Sequence, residues 1–329
     1  MDFSVVAVAR EDDGAVDEPV RVASLADRLG YGEVWAGEGP TWDAFVLAAA
    51  VGAATERVAV TAGPVPVNVR DPYTIARGAA SVAAVTGRAV GVALGTSSKR
   101  VVEGVHGRPR VRPAAVLEES AAALSGLLRG RVGEPVAPGS VFTRRLPGPG
   151  GPLTVAAFGD RAIATAATHA DRMLLDVVSP AQVRVLRAKL DAAARKAGRT
   201  RPTLAAWLPA AVDPDPASLA QVLGSIAGYL SVPGYSEVFV EAGFGEAVML
   251  AATGADRETL LRALPPRAAA TLGLIGDLDT VRARIEAYAE AGLDEIALVP
   301  ATAGDPAGER TLTALRPVRP APAPALKPA

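Results

Sequence analysis

The stretch FSVVAVAREDDG, residues 3–14, decides between two folds. Its opening is Val-rich and alternating, which predicts a strand over 3–9. An open, doubly wound sheet would follow that strand with a glycine-rich dinucleotide turn. Here the chain runs into Arg10-Glu11-Asp12-Asp13-Gly14 instead. Working outward, Val20, Ala23, Leu25, Ala26 and Leu29 fall at helical spacing within 16–29, and Gly30 closes the helix. The same β-then-α pattern recurs along the chain. Strands are predicted over 33–37, 57–63, 88–94, 153–157, 172–178, 203–212 and 295–299. Helices are predicted over 43–54, 73–85, 113–128, 160–169, 180–197, 279–291 and 306–315. Regular β–α alternation implies right-handed parallel crossovers. Eight such units in 329 residues predict an α/β protein with a closed (β/α)8 TIM barrel.

Two segments interrupt the pattern. Residues 130–152 are Gly/Pro-rich and read as an irregular excursion after the fourth helix, with a weak strand near Val141. Residues 216–266 read as an irregular helical insertion between strands seven and eight. We expect one barrel domain over 1–316 and a disordered Pro/Ala-rich tail over 317–329.

Composition narrows the function. Aromatics make up 4% and the apolar content is mostly Ala, Val and Leu, which suits helices packed close on a sheet. A net charge of −1 disfavours nucleic acid as a partner. The absence of cysteine removes disulfides, zinc–thiolate sites and a thiol nucleophile, and two distant histidines offer no metal site. With neither a signal-like start nor a long charge-free apolar run, the expected setting is the cytoplasm, with no membrane partner.

Five segments taken together resemble the luciferase-like flavin and deazaflavin oxidoreductases, above all the branch that uses coenzyme F420. They are LGYGEVWAGE (29–38), similar to the family's LGYDSVWVADH, and ATERVAVTAG (54–63), which leads through Pro64 and Pro66 to Arg70-Asp71-Pro72. The others are Gly87-Arg88 with VGVALGTSS (90–98), Ala170-Asp171, and Gly276-Asp277 leading into AYAEAGLDE (287–295). They keep the family's order and spacing over roughly residues 20–300.

The resemblance implies a cofactor at the C-terminal mouth, where barrel strands deliver their loops. Gly95, Thr96, Ser97 and Ser98 would lie against it, small enough for close backbone approach and able to offer hydroxyls. Gly159, with the backbone of Asp160 and Arg161, would hold its phosphate at a helix start, and the Asp160 side chain would cap that helix. Relatives often carry two glycines at that turn, whereas Phe158 stands at the first here. A non-proline cis bond at Ala62–Gly63 would bulge under the ring. Glu38 matches an acid found in many relatives, but Gly39 stands where they have His. Glu38, His106 and Trp42 are therefore the candidates near substrate. Trp42 would wall the substrate pocket, while Glu38 and His106 each have a plainer reading, as a capping or salt-bridge carboxylate and as a solvated loop histidine. Arg108, Arg110, Arg112, Lys99 and Arg100 could form a basic rim for an acidic cofactor tail.

These readings lead to an F420-dependent oxidoreductase that passes hydride to or from a small organic substrate, and to a homodimer. An FMN-dependent monooxygenase on the same fold is the second reading. A barrel that binds flavin without turning it over is the third.

Overall fold

The computed structural model describes residues 1–10, 14–137, 139–232 and 235–317. Strands β1 (Asp2–Ala7), β2 (Glu33–Ala36), β3 (Ala59–Pro66), β4 (Val90–Gly95), β5 (Gly150–Ala156), β6 (Arg172–Asp176) and β7 (Thr203–Val212) follow one another in chain order around the sheet. Next comes β8 (Leu274–Gly276), and then β9 (Glu295–Pro300) slots between β7 and β1. All neighbours are parallel, and β6–β7 pairing closes the ring. The predicted (β/α)8 barrel is thus present, with β1 to β7 and β9 as its staves. Strand β8 lies outside the ring. It pairs only with the far end of β7, Ala210 to Val212, which overshoots β6.

The helices that cover the barrel are α1 (Glu18–Leu29), α2 (Ala44–Ala54), α3 (Pro72–Thr86), a single turn α4 (Lys99–Val102), α5 (Pro113–Leu127), α6 (Asp160–His169) and α7 (Pro180–Lys196). Their ends follow from local chemistry. Asp43 and Asp71 accept first-turn amides of α2 and α3, Pro72 opens α3, and Gly30 in the left-handed region closes α1. The insertion after β7 resolves into α8 (Pro216–Tyr229), α9 (Tyr235–Glu241), α10 (Gly245–Ala252), α11 (Arg257–Ala263) and α12 (Arg267–Leu272). The chain then forms α13 (Leu278–Glu290), a 3-10 turn (Pro306–Gly308) and α14 (Glu309–Ala314). The strand expected near Val141 is absent; only an isolated Pro135–Thr143 bridge forms there, and Val141 is exposed with no apolar face to bury. The tail expectation falls on residues 318–329, outside the described residues.

Alternation along the strands sorts the core. Val34, Ala36, Met173, Leu175, Leu204 and Ala206 face the helices, while Val6, Trp35, Ala93, Leu174, Ala205 and Ala297 face the barrel axis. A third apolar cluster joins α8–α12 to Val177, Ala211, Ile275 and Ala301, at or just past the C-terminal ends of strands. The insertion therefore packs on the mouth side.

At the opposite end the interior is polar. The Arg172 guanidinium reaches Glu33 (2.7 and 2.8 Å), Glu295 (2.7 Å), Thr61 (3.2 Å) and Thr154 (3.1 Å). It also lies 4.1 Å from the centre of the Trp35 ring. Ser4 and Thr61 donate to the two carboxylates, and Trp35 donates to Ser4 at 2.9 Å. Arg172, Glu33 and Glu295 are thereby paired and hydrogen-bonded, which burial of ions requires. This layer, with Trp35 above it, closes the barrel floor.

Candidate active site at the barrel mouth

Above Trp35, the next inward position on each strand forms the mouth. On one side these positions hold almost no side chain: Gly37 after β2, Gly95 at the end of β4, Ala156 at the end of β5. A methyl placed on Gly95 would come within 3.3 Å of Pro64 Cβ and 3.9 Å of Ala156 Cβ. The ends of β3, β4 and β5 thus converge on one point. Gly63 has φ +114° and its bond to Pro64 is cis. The cis bond expected at Ala62–Gly63 is therefore displaced by one residue. The physical reason is the tertiary amide of an X–Pro bond, which removes most of the trans preference.

The loop after β4 is held in shape by Arg110, so this residue does not serve the basic rim it could have joined. Its guanidinium donates to the Ser97 carbonyl (2.9 Å) and the Thr96 hydroxyl (3.1 Å). Ser97 has φ +53°, and the Ser98 hydroxyl caps α4. Lys99 pairs with Glu103 and Arg112 with Glu119, while Arg100 and Arg108 are exposed. His106, in the same loop, is exposed as well.

At α6, Gly159 is the N-cap and, among the described residues, no side-chain bond caps the first amides. Asp160 does not cap the helix as expected. It sits one position too late for that, and its carboxylate reaches Lys189 on α7 at 2.8 Å. Space beside Gly159 is open, and Arg161 leans outward toward Glu118. The result is a helix start with unspent N–H groups, a setting that favours an anion.

Glu38 is held tightly. One oxygen accepts from the Ala44 amide at 2.8 Å, and the other from Arg70 at 2.7 Å. Arg70 also reaches Asp43 at 2.6 Å, and those contacts keep the Asp43 carboxyl below its ordinary range despite partial burial. Trp42 is half-buried, its indole N–H on the Val16 carbonyl at 2.9 Å.

The other side of the mouth carries residues that sequence reasoning missed. Asp176 ends β6 on the inward register, two places beyond Leu174. Trp207 is its register partner on β7, half-buried and inward, edge-on to Trp35 at 5.8 Å. The Trp207 indole N–H is buried without a partner. Tyr235 donates to Asp176 at 3.2 Å, and Tyr229 hydrogen-bonds it as well. Phe158 and Tyr229 each pack 4.8 Å from the Tyr235 ring. Burial pushes the Asp176 carboxyl up to about 6, against the pull of both hydroxyls. The available signal was an acid that ends an otherwise apolar strand, because alternation turns it into the barrel.

Open clefts lie elsewhere among the described residues, including one of about 370 Å³ between residues 67–72 and Glu119. Another of about 500 Å³ flanks the excursion near Arg129 and Gly148, and one of about 1150 Å³ spans the N-terminal end over Arg172. In this architecture the N-terminal end serves stability, and chemistry belongs to the C-terminal mouth.

Residues 1–295 match the family described as luciferase-like monooxygenase. The chain belongs to that family. A search among curated proteins returns no significant match. Among solved structures, the chain is similar to the coenzyme F420 dependent tetrahydromethanopterin reductase from Methanopyrus kandleri, with 18% identity, 96% of this chain and 97% of that one covered, and a TM-score of 0.77. It is also similar to an F420-dependent secondary alcohol dehydrogenase in complex with an F420-acetone adduct (19% identity, coverage 96% and 99%, TM-score 0.73). A third is the oxygenating constituent of 3,6-diketocamphane monooxygenase from the CAM plasmid of Pseudomonas putida, in complex with FMN (15% identity, coverage 96% and 96%, TM-score 0.64). At these identities the likeness is one of fold, and it extends the luciferase-like barrel over nearly the whole chain. Among the described residues no helix is long and apolar enough to cross a membrane.

Proposed function

We propose that this luciferase-like barrel is an F420-dependent oxidoreductase acting on a small organic substrate. The observation that carries the reading is the convergence of Pro64, Gly95 and Ala156 on one cup, beside the uncapped start of α6. Small residues leave room for a flat ring, and free amides at Gly159, Asp160 and Arg161 suit a phosphate. The unpartnered Trp207 N–H is a donor awaiting an acceptor. Ala62, Gly63, Gly95, Thr96, Ser97 and Ser98 would line the ring side of the cup. Arg110 would keep the β4 loop in place, and Glu38, locked to Arg70, would set the entry of α2. Arg100 and Arg108 remain exposed for an acidic tail. When bound, the deazaflavin supplies hydride chemistry; the protein supplies orientation and a dry pocket.

FMN is the competing cofactor. The two F420-dependent relatives overlay more closely than the FMN-bound monooxygenase, with TM-scores of 0.77 and 0.73 against 0.64. That ordering supports the deazaflavin. The test is titration of the purified protein with F420 and with FMN, read by absorbance and fluorescence. Tighter binding of F420, and reoxidation of its reduced form by a ketone or enone, is the expected result. Preferential FMN binding would move the assignment to the monooxygenase reading. Tight binding without reoxidation by any acceptor would favour a non-catalytic barrel. We place the dimer contact on the outer face of α2, where Val46 is exposed; sedimentation should give twice the 33.4 kDa chain mass.

A further inference from the structure

The oxidoreductase reading calls for a proton donor at the mouth, where Glu38 is already engaged by the Ala44 amide and Arg70, and His106 is exposed on the loop after β4. Asp176 has the geometry for it. It ends β6 on the inward register, beside Trp207 on β7 and beneath the insertion. The groups that face it are the hydroxyl of Tyr229 from α8, the hydroxyl of Tyr235 from α9, the Val177 backbone N–H, and Trp207 from β7. Phe158, one residue before the α6 cap, packs on Tyr235 and so ties the acid to the proposed phosphate turn. Val177, the next residue, is β-branched yet held at φ +49°. Such a backbone persists where surrounding structure imposes it, often at functional sites.

We infer that Asp176 is the proton-transfer group of this site, held in position by Tyr229 and Tyr235. The inference rests on the oxidoreductase reading. Reduction of a carbonyl to an alcohol takes a hydride, from a reduced cofactor of the deazaflavin class, and one proton. The O–H bond of protonated Asp176 breaks as the substrate O–H bond forms, and the carboxylate left behind accepts from both tyrosine hydroxyls. Solvent returns the proton. In the oxidative direction the carboxylate takes the alcohol proton as hydride leaves. Burial that raises the carboxyl to about 6 keeps both forms accessible near neutral pH. The two phenols are raised well above their ordinary range, by burial at Tyr235 and by the Asp176 charge at Tyr229, so they stay protonated as donors.

The experiment combines a direct titration with a kinetic profile on the whole protein. Carbon-13 NMR of aspartate-labelled protein should show a carboxyl that titrates near pH 6. It should vanish in Asp176→Asn and move to higher pH in Tyr235→Phe, which loses a donor to the carboxylate. Single-turnover oxidation of reduced F420 by cyclohexanone should fall as pH rises through that value. Asp176→Asn should be slower by about 100-fold or more, with that limb gone, while F420 affinity is retained. The Tyr235→Phe profile should shift with its titration. F420 bound and reoxidised at the wild-type rate and with the wild-type profile by Asp176→Asn overturns the inference alone. Absence of F420 binding in the wild type overturns the oxidoreductase reading and this inference together.

Discussion

Glu38 follows β2 where the family resemblance puts an acid near the cofactor, yet both its oxygens are engaged, one by an α2 amide and one by Arg70. Asp176 is the reverse case: among the described residues no cation pairs with it, and its two phenol partners stabilise the carboxylate only in part. The consequence for stability has a definite sign. In the unfolded chain Asp176 titrates near 3.9, and in the folded protein it does so at about 6. Between those values the folded state holds the extra proton. Its contribution is therefore full below about pH 4 and is lost as pH rises through 6. Asp176→Asn should then gain in urea midpoint over wild type between pH 4 and pH 7.5, and a constant difference would contradict this. Arg172 gives the opposite expectation. Arg172→Met leaves Glu33 and Glu295 buried without their cation, so unfolding free energy should drop by about 3–5 kcal/mol. A drop under 1 kcal/mol would show that the floor network is dispensable.

Among the elements, α6 is the most informative. Its N-cap glycine lies at φ −78° and ψ 153°, a conformation suited to any capping residue, with open space at the missing Cβ. Gly159→Asp should leave stability unchanged or raise it by a few tenths of a kcal/mol, since aspartate caps slightly better than glycine. The same carboxylate would occupy the anion position and repel a phosphate. Cofactor affinity, followed by fluorescence, should fall at least about tenfold while the melting temperature holds. Equal affinity would remove α6 from the site. Elements also show where sequence reading stops. The barrel strands were legible because buried parallel strands are β-branched runs bounded by turns. Strand β8, three residues long, and α4, a single turn, carry no period to read. The place of Gly95 to Ser98 at the mouth was legible from strand order, while their role toward a cofactor came only from the family resemblance. Tyr229 and Tyr235 were not, because the insertion has no strand ends to place its residues. Nor were the partners of Arg172, since Glu33, Thr61, Thr154 and Glu295 meet only when the ring closes.

On the scale of the whole molecule, the barrel is asymmetric along its axis and across its mouth. Charge is buried and matched at the floor, Trp35 fills the middle, and the mouth is bare on the β2–β5 side and functionalised on the β6–β7 side. The proposal that a cofactor lies on the bare side, facing Asp176 and Trp207, follows from that division. A crystal structure of the F420 complex measures it most directly. The ring should lie over Pro64 and Gly95, with its phosphate on the amides at Gly159 to Arg161 and open volume toward Asp176. Density for the cofactor in the N-terminal cleft, or a mouth closed by its own side chains, would contradict the account.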